Sequence, residues 1–131
     1  MKAAIIYQFN KPLVIEEIQQ NNLKCGQVLV EVRSSGICGA QLGHISGVKI
    51  KKEFLPCLLG HEGGAKVIEV GDGVTTVKKG DKVVMHWRKG EGIESEFPKY
   101  VSNNGKIIGG GLVTTFNDYA VVSENRITKI D

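Results

Sequence analysis

Lys66-Val67-Ile68-Glu69-Val70 runs straight into Gly71-Asp72-Gly73, and Lys79-Gly80-Asp81 leads straight into Lys82-Val83-Val84-Met85. Each segment is short and β-branched, and each meets a turn built from glycine and aspartate. The same pattern extends outward along the chain. Val28, Val30 and Val32 recur at period two with Glu31 and Arg33 opposite, which predicts a half-buried strand. Ala3–Tyr7, Leu13–Ile18, Asp118–Val122 and Arg126–Ile130 read as further strands. Gly36, Gly39, Gly43 and Gly47 break the stretch after Val32 into loop or a single helical turn. Arg88–Gly111 is polar and glycine-rich and reads as a long loop. No helical period is sustained over three turns. Short strands at close spacing predict a mainly β fold, a barrel or a sandwich.

Composition agrees. Glycine takes 17 of 131 residues, against a usual share of about 7%. A chain of this length makes one domain of residues 1–131. The net charge of +3 is too mild and too dispersed to argue for nucleic acid. No apolar run approaches the roughly 18 residues of a membrane span, and the N-terminus lacks the apolar core of a signal peptide. Three cysteines, Cys25, Cys38 and Cys57, make an odd count that argues against a disulfide framework. The expected setting is a reducing cytoplasm.

Two segments hold residues with metal chemistry between glycines: Gly36-Ile37-Cys38-Gly39 and Gly60-His61-Glu62-Gly63-Gly64. Zinc accepts thiolate sulfur and imidazole nitrogen together, and a catalytic site takes three protein ligands and keeps one position open. Cys38 and His61 supply two donors. Glu62 offers a carboxylate, as a ligand or as a neighbour to one. Residue types alone leave a plainer alternative: Cys38 as a small buried hydrophobe and His61 as a hydrogen-bonded loop residue. No Cys-x-x-Cys pair is present to suggest a zinc finger.

The order of motifs is more specific. Gly36-Ile37-Cys38-Gly39, Pro56 through Gly60-His61-Glu62-Gly63, Glu69-Val70-Gly71-Asp72-Gly73-Val74 and Lys79-Gly80-Asp81-Lys82-Val83-Val84 follow one another, and Thr115-Phe116-Asn117-Asp118-Tyr119-Ala120-Val121-Val122 closes the series. This succession resembles the medium-chain zinc-dependent alcohol dehydrogenases over nearly the whole chain. The resemblance implies a GroES-like, partly open β-barrel with short helical turns, the catalytic domain of that family. It places Cys38 and His61 on two ligands of one catalytic zinc. It places Glu62 on the adjacent acidic residue and Trp87 near a position lining the substrate pocket, although packing explains a tryptophan equally well. The implied reaction is hydride transfer between NAD or NADP and a small alcohol, aldehyde or ketone, with zinc as Lewis acid.

The chain departs from that pattern in three ways. Gly71-Asp72-Gly73 lacks the last glycine of a dinucleotide fingerprint and Gly109-Gly110-Gly111 has the wrong spacing, so no Rossmann domain is expected within it. The cofactor would bind through such a domain elsewhere, the family's third zinc ligand, usually a cysteine, is expected beyond Asp131, and the isolated domain is expected to be inactive. Second, the family's usual hydroxyl two residues after the zinc cysteine is replaced by Ala40. Gln41 or water is one substitute, and His44, next to Gly43, is the expected proton relay. Third, Arg88–Gly111 contains no cysteine, so no structural zinc is expected. His86 reads as structural, Cys57 as a small buried residue, and Lys49-Ile50-Lys51-Lys52 as a solvated loop. A zinc-free quinone-reductase-like relative and a non-catalytic GroES-like binding module are the alternatives. Association into a homo-oligomer is expected, if at all, of a longer chain.

Overall fold

The alternating valines lie on β3 (Gln27–Ser35), the longest strand. In the computed structural model, which describes residues 1–131, β3 pairs antiparallel with β4 (Gly63–Val70) on one side and β8 (Tyr119–Ser123) on the other. β5 (Lys82–Met85) and β9 (Ile127–Lys129) extend this sheet to five strands in the order β8-β3-β4-β5-β9. β1 (Lys2–Ile5), β2 (Val14–Gln20), β6 (Lys99–Ser102) and β7 (Ile107–Gly109) make a second sheet in that order. The architecture is mainly β, as the short strands predict, and is the GroES-like half-barrel that the family resemblance implies.

Along β8 and the first half of β3 the five-stranded sheet is buried on both faces. Val28, Val30, Val67, Val83, Ala120 and Val122 point into one core. Leu29 and Val121 point the other way, into a core completed by Ile5, Ile18, Tyr100 and Ile108 of the second sheet. β3 is therefore fully rather than half buried over Gln27–Val30. Leu29 pairs with Glu69 and Val30 with Val67, so β4 carries one extra residue there. That bulge changes the parity of β4. Ile68 turns to the second core while Val70 returns to the first beside Val67. A bulge also bends the strand, which suits a sheet curling around its own side chains.

Two sequence expectations change. Arg88–Gly111 is not all loop: it contains the β6–β7 hairpin. Tyr100 on β6 is completely buried, and its hydroxyl accepts the Val121 N–H at 2.7 Å. The glycine-punctuated stretch after β3 forms α1 (Gly39–Ser46), a helix of eight residues, so two turns rather than one. No helix is long and apolar enough to cross a membrane.

One buried carboxylate fastens the loops to the barrel. Glu124 is fully buried, and its oxygens accept the Thr75 and Thr76 N–H groups, the Thr76 hydroxyl and the Ile93 N–H at 2.8–3.0 Å. Burial pushes its pKa up, but the bonds from Ile93, Thr76 and Thr75 outweigh that and hold it below the ordinary glutamate value. Its stabilising effect is thus present at neutral pH and lost as pH falls through the lowered pKa. Glu124→Gln is expected to cost about 2–3 kcal/mol in urea unfolding at pH 7. The gap between the two proteins should narrow in acid; a gap that widens there would contradict this account.

Candidate functional site

Strand pairing places the two glycine-flanked segments together. Ser35 at the end of β3 pairs with Gly63 at the start of β4, and the Gly36 N–H extends the ladder to the Glu62 carbonyl at 2.9 Å. Cys38 follows three residues after Ser35 and caps α1, while His61 comes two residues before Gly63. Each lies just beyond the ladder, on neighbouring strands. Side chains on such loops are positioned by the rigid sheet beneath.

Gln41 joins the two segments. It is fully buried on the first turn of α1. Its Oε1 accepts the Cys38 N–H at 2.6 Å and its Nε2 lies 3.3 Å from His61 Nδ1. Both ends of the amide are engaged, so Gln41 is not free to stand in as a proton relay. Thr115, also buried, ties the same loops from below. Its hydroxyl lies 2.7 Å from the Ser35 hydroxyl, and its N–H donates to the Leu59 carbonyl at 2.9 Å.

His61 and His44 border a cleft of about 400 Å³. Its walls are apolar, with Ile50, Phe54, Leu58 and Phe97 among them. His44 has a buried Nδ1 with no hydrogen-bond partner. Burial pushes its pKa down, and the neighbouring His61 and Lys49 push the same way. Trp87 is exposed and is not among the lining residues; its ring centroid stands 6.4 Å from that of His61. Glu62 is exposed and its side chain packs over Gly36. No three His, Cys, Asp or Glu side chains gather into a cluster able to hold a metal ion, so Cys38, His61 and Glu62 do not form a ready triad.

The remaining candidates fall outside the site or at its margin. His86 is held by the Arg88 carbonyl at Nδ1 and the Thr128 hydroxyl at Nε2, at 2.8 and 2.9 Å, as a structural residue should be. Cys57 is half-buried in the cleft wall, its thiol pKa raised by burial. Cys25 is exposed. Lys49, Lys51 and Lys52 are exposed, as a solvated loop requires. Sequence reasoning missed the bridging role of Gln41 and the tie made by Thr115. The one available signal for Gln41 was its place on the third residue after Cys38, where a side chain reaches back to the capping N–H.

Comparison with known proteins bears on this arrangement. The family model for the alcohol dehydrogenase GroES-like domain matches residues 24–131. An alcohol dehydrogenase of Geobacillus stearothermophilus is 41% identical over 87 residues, covering 66% of this chain and 26% of that protein. A class-3 alcohol dehydrogenase of Cereibacter sphaeroides is 43% identical over 83 residues, 63% of this chain and 22% of the relative. Among solved structures, an alcohol dehydrogenase zinc-binding domain protein from Burkholderia ambifaria superposes with a TM-score of 0.83 at 22% identity, over 99% of this chain and 41% of its own. The alcohol dehydrogenase of Aeropyrum pernix gives 0.71 at 27% identity, over 100% and 40%. The matches thus span about a quarter of these curated relatives and two fifths of the solved chains.

Two measurements test the site's construction. Gly60 has φ +98°, and a Cβ there would stand 2.8 Å from the Thr115 backbone nitrogen. Gly60→Ala is therefore expected to lose about 1–3 kcal/mol of stability and to shift the fluorescence of Trp87, the one tryptophan, as His61 moves. Stability and emission both unchanged would refute the tight fit. An NMR titration should place His44 below the ordinary imidazole range, and Lys49→Met should raise it part of the way. Because the folded pKa is lowered, His44 adds to stability as pH rises through the ordinary imidazole range.

Proposed function

The chain belongs to the alcohol dehydrogenase GroES-like domain family, and from that premise we propose that it is the zinc-binding catalytic domain of an alcohol dehydrogenase-like oxidoreductase. The observation that carries this reading is the Ser35–Gly63 register, which sets Cys38 and His61 on neighbouring loops joined by Gln41, with His61 at an apolar cleft. A thiol and an imidazole are a donor pair suited to zinc. Since no third donor stands with them, this chain offers two ligands and leaves the rest of the shell to groups outside the cluster. Bound zinc would supply Lewis-acid polarisation of an alcohol or carbonyl oxygen, while NAD or NADP would be held by a separate nucleotide-binding domain.

The chain's own residues do the rest. The apolar walls take the carbon part of a small alcohol or carbonyl compound and exclude water from it. His44, lining the cleft with one unpartnered nitrogen, is the group to move a proton where Ala40 has no hydroxyl. Glu62 stands beside His61 as a nearby negative charge. The Trp87 ring stands near that of His61, tilted by 53° to it. Three free thiols suit a reducing cytoplasm.

Cobalt(II) tests the donor pair, because thiolate ligation gives a near-ultraviolet charge-transfer band that other donors do not. Titration of the chain is expected to produce that band and to quench Trp87. Cys38→Ser should abolish the band and His61→Asn should weaken binding at least tenfold. Glu62→Gln should retain the band. A cobalt band that survives Cys38→Ser, or none in the wild type, would transfer support to a zinc-free reductase.

A further inference from the structure

We infer that Gln41 selects, for the neutral His61 ring, the tautomer that carries its proton on Nε2, and thereby keeps the Cys38–His61 metal site weak and readily exchanged. The second half rests on the metal reading above; the first does not.

Donor chemistry fixes the direction of each bond. The Cys38 N–H can only donate, so the Gln41 atom 2.6 Å from it is the carbonyl oxygen. The other end of the amide, 3.3 Å from His61 Nδ1, is then the NH₂ group, which also only donates. His61 Nδ1 must accept. A neutral imidazole has one accepting nitrogen, so its proton lies on Nε2. His86 shows the opposite case in the same chain. Its Nδ1 faces the Arg88 carbonyl, which only accepts, so His86 carries its proton on Nδ1.

A metal needs a nitrogen lone pair, and in His61 the only one is already used by Gln41. Binding through Nε2 would send the proton to Nδ1, where it meets the amide NH₂, donor against donor. Turning the amide over moves the same conflict to the Cys38 N–H. Gln41 is fully buried, so water cannot settle either conflict. Metal-binding histidines ordinarily present their second N–H to an acceptor. Gln41 offers the reverse. A glutamate of the same shape would accept from both Cys38 and His61 and favour the metal-binding form.

The test is a long-range ¹H–¹⁵N spectrum of the metal-free chain at pH 9, where an ordinary imidazole is neutral, followed by cobalt(II) titration of the same samples. The wild type should show His61 protonated on Nε2 and His86 on Nδ1. Gln41→Glu should switch His61 alone to Nδ1 and tighten cobalt binding about ten- to a hundredfold. Gln41→Ala, the control should the glutamate disturb α1, should give a mixture of both forms and a smaller gain in affinity. His61 protonated on Nδ1 in the wild type would overturn the selection. A switched form with unchanged or weaker cobalt binding would overturn its effect on the metal. No cobalt bound by any of the three, with the protons where stated, would leave the selection standing and remove both that effect and the metal reading.

Discussion

Everything in this domain hangs on the first half of β3, Gln27–Val30, being buried on both faces. Val28 and Val30 feed one core and Leu29 feeds the other. A strand so placed has no solvent face on which to slip. A shift of one residue would exchange Leu29 for the valines and disrupt both cores at once. The register against β4 is therefore over-determined near Val28–Val30, and the ladder reaches Ser35 and Gly63 through a second irregularity between Val32 and Ser34. The ladder brings the loops of Cys38 and His61 together, and Gln41 and Thr115 then fasten them.

The sequence displayed this constraint only in part. The period-two valines were legible because alternation is a direct consequence of the pleat. Leu29 was not assignable to a second core, since Glu31 and Arg33 on the same face read as solvent-exposed. The glycine turns at Gly71–Gly73 and Gly80 were equally plain, and they bounded β4 and β5 well. The β6–β7 hairpin was hidden because Lys99-Tyr100-Val101-Ser102 and Ile107-Ile108-Gly109 are too short to show a period, and they sit among Gly, Asn and Lys. Tyr100 announces itself only once its hydroxyl is seen on the backbone of Val121. Burial across two sheets is a tertiary fact without a local signature.

The site divides in the same way. Cys38 and His61 were visible because few residue types bind metals and because glycines flank both. Gln41 and Thr115 were not, because an amide and a hydroxyl are common on surfaces and gain meaning only from what they touch. Their burial is what makes them consequential. A buried amide with both ends engaged has no cheap rearrangement, since any change strands a donor. The polar groups that set the behaviour of a site are thus the least legible in sequence and the most constrained in structure.

The glycines around the site differ in what they leave room for, and the difference can be argued atom by atom. A side chain at Gly36 would meet the flexible carboxyl end of Glu62, which can swing into solvent. One at Gly63 would meet the Ser34 carbonyl, part of the ladder itself. One at Gly60 would meet the Thr115 backbone and would also have to adopt a positive φ. Only the first conflict is with something free to move. Gly36 therefore sets how near Glu62 lies to the Cys38 loop, whereas Gly60 and Gly63 set the path of the backbone that carries His61. Changing the first alters the charge beside the site. Changing either of the others alters where the imidazole stands, because the backbone between two fixed glycines has no slack to absorb the change.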